Sequence, residues 1–205
     1  MFKNLSFAVA FLSEIQFQYT NMDIKTALIE SIDLRKAMLY DLKLVSQIEE
    51  AGKSILAVIK NGGTIFTCGN GGSACDAMHF CEELVARYKK DRPGIKSQHF
   101  MDSGTLTCWA NDYDYASVFE RQARTFCSSK DLLVIFSTSG NSENVIRAAN
   151  AAKEKGSKVI GLLGKGGGKL APLCDQALII PSNATERIQE IHITLVHIFC
   201  EIIEG

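Results

Sequence analysis

Two stretches carry side chains that can move protons and hold a metal: His79 and Glu83 in GNGGSACDAMHFCEEL, and Gln189 and His197 in ERIQEIHITLVHI. An imidazole and a carboxylate at i, i+4 share one helix face. Nitrogen and oxygen donors of this kind suit a zinc ion, with Glu83 close enough to shuttle a proton. Gln189 and His197 lie eight residues apart, about 12 Å of helical rise, so both reach one ion only by leaning toward each other. A His in so apolar a helix is by default structural, and only a second set of signals lifts these four above that reading.

That second set is a pair of glycine- and hydroxyl-rich turns. Gly69-Asn70-Gly71-Gly72-Ser73 follows an apolar run, Thr64–Cys68, and precedes the helical pattern that carries His79 and Glu83. Glycines let the backbone turn sharply and approach a ligand, and a helix N-terminus attracts an anion. Ser73 is the expected N-cap, with Asp76 as the acidic partner of a capping box. Gly69-x-Gly71-x-x-Ala74 also satisfies the loose dinucleotide fingerprint. Ser137-Thr138-Ser139-Gly140-Asn141-Ser142 repeats the arrangement after Asp131–Phe136, with four hydroxyls in six residues. Hydroxyls and backbone amides around a helix N-terminus fit a phosphate monoester, which the dinucleotide reading leaves unexplained. A third turn, Gly164–Lys169, fails the Walker A spacing and reads as a flexible rim.

The elements that must position these groups alternate. Strands are expected near Thr64–Cys68, Gln98–Met101, Asp131–Phe136, Lys158–Leu163 and Ala177–Ile180. Helices are expected from Asp23 through Leu39, from Leu44 to Lys60, around Leu106–Ala110 and Tyr115–Phe126, from about Val145 to Ala152, and from Thr185 to Ile203. Asn111-Asp112 separates the two short ones. Alternating strands and helices predict an α/β fold, a parallel five-stranded sheet flanked by helices. Ligand loops then gather at the carboxyl ends of the strands.

Composition narrows the class. The chain has 205 residues, 46% apolar and 22% charged, with net charge −1, which gives no electrostatic footprint for nucleic acid or an anionic membrane. No run is long enough to span a bilayer. Seven cysteines without a C-x-x-C pair read as reduced thiols, mostly in the core, and place the protein in the cytoplasm. Residues 1–22 read as an extension ahead of a second start at Met22, and 23–205 as a single domain.

GNGGSACDAMHFCEEL, Asn111-Asp112, STSGNS and ERIQEIHITLVHI, in this order, resemble the phosphoheptose isomerase family of the sugar isomerase (SIS) fold, over about residues 23–204. The resemblance implies interconversion of sedoheptulose 7-phosphate and D-glycero-D-manno-heptose 7-phosphate, the first step toward activated heptose for lipopolysaccharide core or capsule. It implies a sugar phosphate held by Asn70, Gly71, Gly72, Glu83, Asn111, Asp112, Ser137, Thr138, Ser139, Ser142 and Gln189. It further implies zinc on His79, Glu83, Gln189 and His197, and an acid–base pair of Glu83 and His197. A cytoplasmic homotetramer, with the N-terminal helices packing in the oligomer, completes the expectation. Ala74 stands where some members have His, and Glu186 where many have Asp. A non-enzymatic SIS protein that binds the replication initiator, or one that senses a sugar phosphate, is the alternative; the former group lacks the equivalents of Glu83 and His197.

Overall fold

Apolar runs long enough for four to six residues of strand are buried on both faces of one sheet, as parallel pairing requires. β1 (Ile65–Gly69) and β3 (Leu132–Ser137) are buried throughout, and β4 (Lys158–Leu163) from its second residue onward. The shorter β2 (Ser97–His99) and β5 (Gln176–Ile179) take the edges, in the order β2-β1-β3-β4-β5 with every pairing parallel. The structure is a computed structural model describing residues 23–205, so the extension and second start expected at 1–22 lie outside the described residues.

Among the described residues seven α-helices accompany the sheet: α1 (Ile24–Tyr40), α2 (Leu42–Lys60), α3 (Gly72–Val85), α4 (Ser103–Asp112), α5 (Val118–Phe126), α6 (Glu143–Glu154) and α7 (Thr185–Glu204). Successive strand residues alternate between two cores. Ile65, Val134, Phe136 and Ile160 pack with Ile55 of α2, Phe80 of α3 and Phe199 of α7. Phe66, Cys68, Leu133 and Ile135 pack with Phe119 of α5 and Ala149 of α6. The two helices carrying the candidate acid–base residues, α3 and α7, therefore share one face of the sheet.

The described residues divide into two compact units, one ending at Asp33 and the other running from Leu34 to Gly205. In the first, the Asp23 carboxylate accepts from the Lys25 amide and the Thr26 hydroxyl, while Ile24, Leu28, Ile29 and Ile32 are exposed. In the second, Asn111 and Asp112 do not separate two helices but close α4, and a 3-10 turn at Tyr115–Ser117 leads into α5. No helix among the described residues is long and apolar enough to cross a membrane.

Candidate active site

The strand order decides where a ligand can sit. The chain leaves β1 toward β2 on one side, and β3 enters on the other, so the loops after β1 and β3 diverge. In sheets of this order the crevice between those two loops is the ligand site. Both turns singled out in the sequence occupy it: residues 69–72 after β1, and 137–142 after β3.

The first turn is built differently from the expectation. Gly71, not Ser73, caps α3, at φ 57° and ψ −126°, a conformation that glycine adopts without strain. Ser73 is buried inside the first helical turn, so there is no capping box and Asp76 has no Ser73 amide to reach. Asp76 Oδ2 instead lies buried without a hydrogen-bond partner. Burial pushes its carboxyl up to about 6, while the neighbouring His79 works in the opposite direction. The amides of Ser73, Ala74 and Cys75 turn back onto the Asn70 and Gly71 carbonyls. Asn70 is locked by a reciprocal amide pair with buried Asn144: Nδ2 to Oδ1 at 2.9 Å one way and 2.8 Å the other. The Tyr115 hydroxyl donates to the same Asn70 Oδ1. This cross-link ties the loop after β1 to the start of α6, and neither Asn144 nor Tyr115 was anticipated.

The second turn keeps its hydroxyls together. Ser137 Oγ accepts from the Gly140 amide and Ser139 Oγ from the Asn141 amide, Thr138 is half-buried, and Ser142 stands at the head of α6 without a capping bond. The 164–169 segment is not a loose rim. Leu170 N donates to Gly140 O and Lys169 N to Asn141 Oδ1, and a Cβ on Gly140 would lie 2.0 Å from Gly167 O. Part of it packs against the phosphate-binding candidate, and at Gly168 a Cβ would lie 2.5 Å from Ser139 O, so there backbone meets backbone.

On the neighbouring helices, His79 Nε2 lies 3.1 Å from Glu83 Oε1, and His197 Nε2 lies 4.0 Å from the same oxygen. The two imidazoles meet edge to face at 5.3 Å, and Tyr88 stacks on His197 at 5.8 Å. Glu83 is the most enclosed, its side chain 14% exposed against 41% and 40% for the imidazoles. One donor atom from each of the three falls within 4.8 Å of the others, the only such group of His, Cys, Asp and Glu among the described residues. Two imidazole nitrogens and a carboxylate fit zinc's ligand preferences.

Gln189 is placed elsewhere on the same helix pair. Its amide packs over Gly72, where an added Cβ would lie 2.6 Å from Nε2. Gly72 beside Gln189 and His79 beside His197 mean that α3 and α7 run in the same direction, with Gln189 at the N-terminal end of the groove between them. Asn111 and Asp112 are exposed at the end of α4, bonded to each other at 2.9 Å and, through Asp112, to the Cys108 thiol. No contact joins them to Glu83 or His197. Glu186, in the first turn of α7, is exposed.

The sheet order and its paired turns, together with the match of residues 35–164 to the SIS domain, define a SIS-domain protein. The chain is 44% identical over 182 residues to a phosphoheptose isomerase of Vibrio cholerae, covering 88% of this chain and 95% of the relative. Against the phosphoheptose isomerase of Aliarcobacter butzleri the identity is 49% over 159 residues, 77% of this chain and 84% of the relative. The solved structure of a phosphoheptose isomerase from Francisella tularensis aligns with a TM-score of 0.83 at 32% identity, covering 88% of this chain and 95% of that one. The chain belongs to the phosphoheptose isomerase family.

Proposed function

We propose that this chain is an aldose–ketose isomerase that interconverts sedoheptulose 7-phosphate and D-glycero-D-manno-heptose 7-phosphate, opening the synthesis of activated heptose. The observation that carries the chemistry is the meeting of Glu83 with two imidazoles, one from a distant helix, on a helix whose N-terminus opens from the turn after β1. The reaction moves a proton between C1 and C2 through an enediol, and so needs a base over the carbon and an acid for the oxygen.

Glu83 is the base. Its Oε1 faces both imidazoles, which leaves Oε2 for the carbon-bound proton. His197 holds and returns the proton on the sugar oxygen, and stacking on Tyr88 fixes the plane of its ring. The 137–142 turn and the start of α6 hold the phosphate through hydroxyls and the helix dipole, with Asn70, Gly71 and Gly72 on the other wall. Gln189, Asn111 and Asp112 are assigned to the sugar hydroxyls. Binding energy from the remote phosphate then orients the reacting end. His79, Glu83 and His197 would hold a zinc ion, and Gln189 would join them as fourth donor by turning its amide away from Gly72. When bound, zinc supplies Lewis-acid polarisation of the carbonyl oxygen.

The assembly is proposed as a homotetramer. Support comes from the exposed Ile24, Leu28, Ile29 and Ile32 on α1, and separately from an apolar groove of about 470 Å³ lined by Met38, Val45, Ile48, Ile191, Leu195 and Ile198. All seven cysteines are free thiols, four of them buried, which supports a cytoplasmic setting. The test is isomerisation of sedoheptulose 7-phosphate by purified protein, with chelator and with zinc restored. Conversion that chelator abolishes and zinc restores is expected. Absence of conversion by the zinc-loaded oligomer overturns the proposal.

A further inference from the structure

Beyond the site itself, one guanidinium ties together the two helices that carry the reacting groups. Arg92 lies in the connection from α3 to β2. Its Nη2 donates to Glu83 O at 2.8 Å, its Nη1 to Leu84 O at 2.9 Å, and its Nε to Glu204 Oε1 at 3.1 Å. The two carbonyls belong to the last turn of α3, where helix geometry leaves acceptors without an intrahelical partner and the macrodipole favours a cation; Leu84 O also accepts from the Ile95 amide at 3.0 Å. Glu204 is the last residue of α7, and its other oxygen accepts from the Lys89 and Lys90 amides at 3.1 and 2.9 Å. The Arg92 and Glu204 side chains are 16% and 4% exposed, so solvent does little to screen or replace this contact.

His197 precedes Glu204 by seven residues, two turns, and therefore faces the same side of α7. Glu83 contributes its own backbone carbonyl to the clamp while its side chain faces His197 at 4.0 Å. The geometry points to Arg92 and Glu204 as a positioning pair that sets the spacing of α3 against α7, and through it the approach of His197 to Glu83. Neither residue touches the sugar. The inference rests on the acid–base roles given above to Glu83 and His197, and it extends to the metal, since the same spacing separates the His79 and Glu83 donors from His197.

The test uses R92M, R92K and E204Q in the full-length protein, with folded fraction followed by circular dichroism and assembly by gel filtration. The expected result for R92M is a fall of about 10- to 100-fold in kcat per folded site, with KM within about threefold. Zinc affinity, measured by competition with a chromogenic chelator, is expected to weaken by about tenfold, as for loss of a supporting contact behind a metal ligand. R92K should fall between, because a single ammonium cannot hold two carbonyls and a carboxylate in the fixed fork of a guanidinium. Folded variants with kcat and zinc affinity within about twofold of the parent, and only a lower Tm, overturn the inference. Should R92M not fold, R92K and E204Q are judged by the same two readouts. A parent that binds zinc but does not isomerise the sugar condemns the functional reading, while the zinc affinities still decide whether Arg92 positions the helices.

Discussion

Replacing Gly72 by alanine separates folding from chemistry at one atom. The new Cβ would lie 2.6 Å from Gln189 Nε2 and 2.8 Å from Cδ and Oε1, and the three nearest atoms it meets all belong to that side-chain amide. An ordinary contact begins near 3.4 Å, so the amide must retreat by about 0.8 Å. Because the obstacle is the far end of a flexible side chain, the helix need not move. Gly72 opens α3, where alanine is at least as good a helix former as glycine. Stability should stay within about 1 kcal/mol of the parent, which for a chain of this size is a Tm change under about 4 °C. A displacement approaching 1 Å of a group that orients substrate costs up to about 100-fold in rate, so kcat/KM should drop by about 10- to 100-fold, or about 1.4–2.7 kcal/mol of transition-state stabilisation. Steady-state assay of sedoheptulose 7-phosphate turnover beside a thermal melt reads both. A variant with unchanged kcat/KM, or one whose Tm collapses along with its activity, refutes the placement of Gln189 over Gly72.

Two further substitutions test the surroundings of the site. Gly140→Ala places a Cβ 2.0 Å from Gly167 O, backbone against backbone, at a φ of +62°; a loss of about 2 kcal/mol or more, or a Tm lower by about 4–8 °C, is expected, and a Tm within 2 °C of the parent contradicts this packing. His192 is buried beneath β3 against Phe136, with Nδ1 unpartnered, and burial holds its pKa down to about 4. The unfolded chain takes up this proton near pH 6.5, before the native state does. Its contribution to stability is therefore whole above pH 6.5 and lost as pH falls through about 4, up to about 3 kcal/mol in all. Denaturant melts of the parent and His192→Leu should diverge across that range, and parallel pH profiles reject the assignment.

Much of this was legible in the chain because it is local. Buried strands in a parallel sheet announce themselves as apolar runs, and β4 matches its expected span residue for residue, while β1 and β3 shift by only one position. The hydroxyl cluster at 137–142 and the i, i+4 pair of His79 and Glu83 are likewise local patterns. What failed was decided by backbone geometry or by distant partners. Ser73 looks like a cap from its type, yet the positive φ at Gly71 starts the helix two residues earlier and buries the serine. The 164–169 glycines read as slack, yet Gly167 and Gly168 lie against Gly140 and Ser139 of the 137–142 turn, which is visible only once β3 and β4 are paired. Arg92 and Glu204 are separated by 112 residues, and Asn70 and Asn144 by 74, so no spacing rule links them. The strand order that makes the β1 and β3 loops diverge is also non-local. Without it, the two candidate phosphate-binding turns cannot be assigned to one crevice.

The claim that Glu83 moves the proton at carbon is tested most directly by hydrogen exchange. Sedoheptulose 7-phosphate incubated with the zinc-loaded parent in deuterium oxide should acquire deuterium at C1 of the ketose and C2 of the aldose, the two enediol carbons, seen by NMR. Glu83→Gln, shown by calorimetry to bind the sugar phosphate still, should incorporate none on the same timescale. Deuterium entering in the Gln variant at a rate within tenfold of the parent would contradict the account.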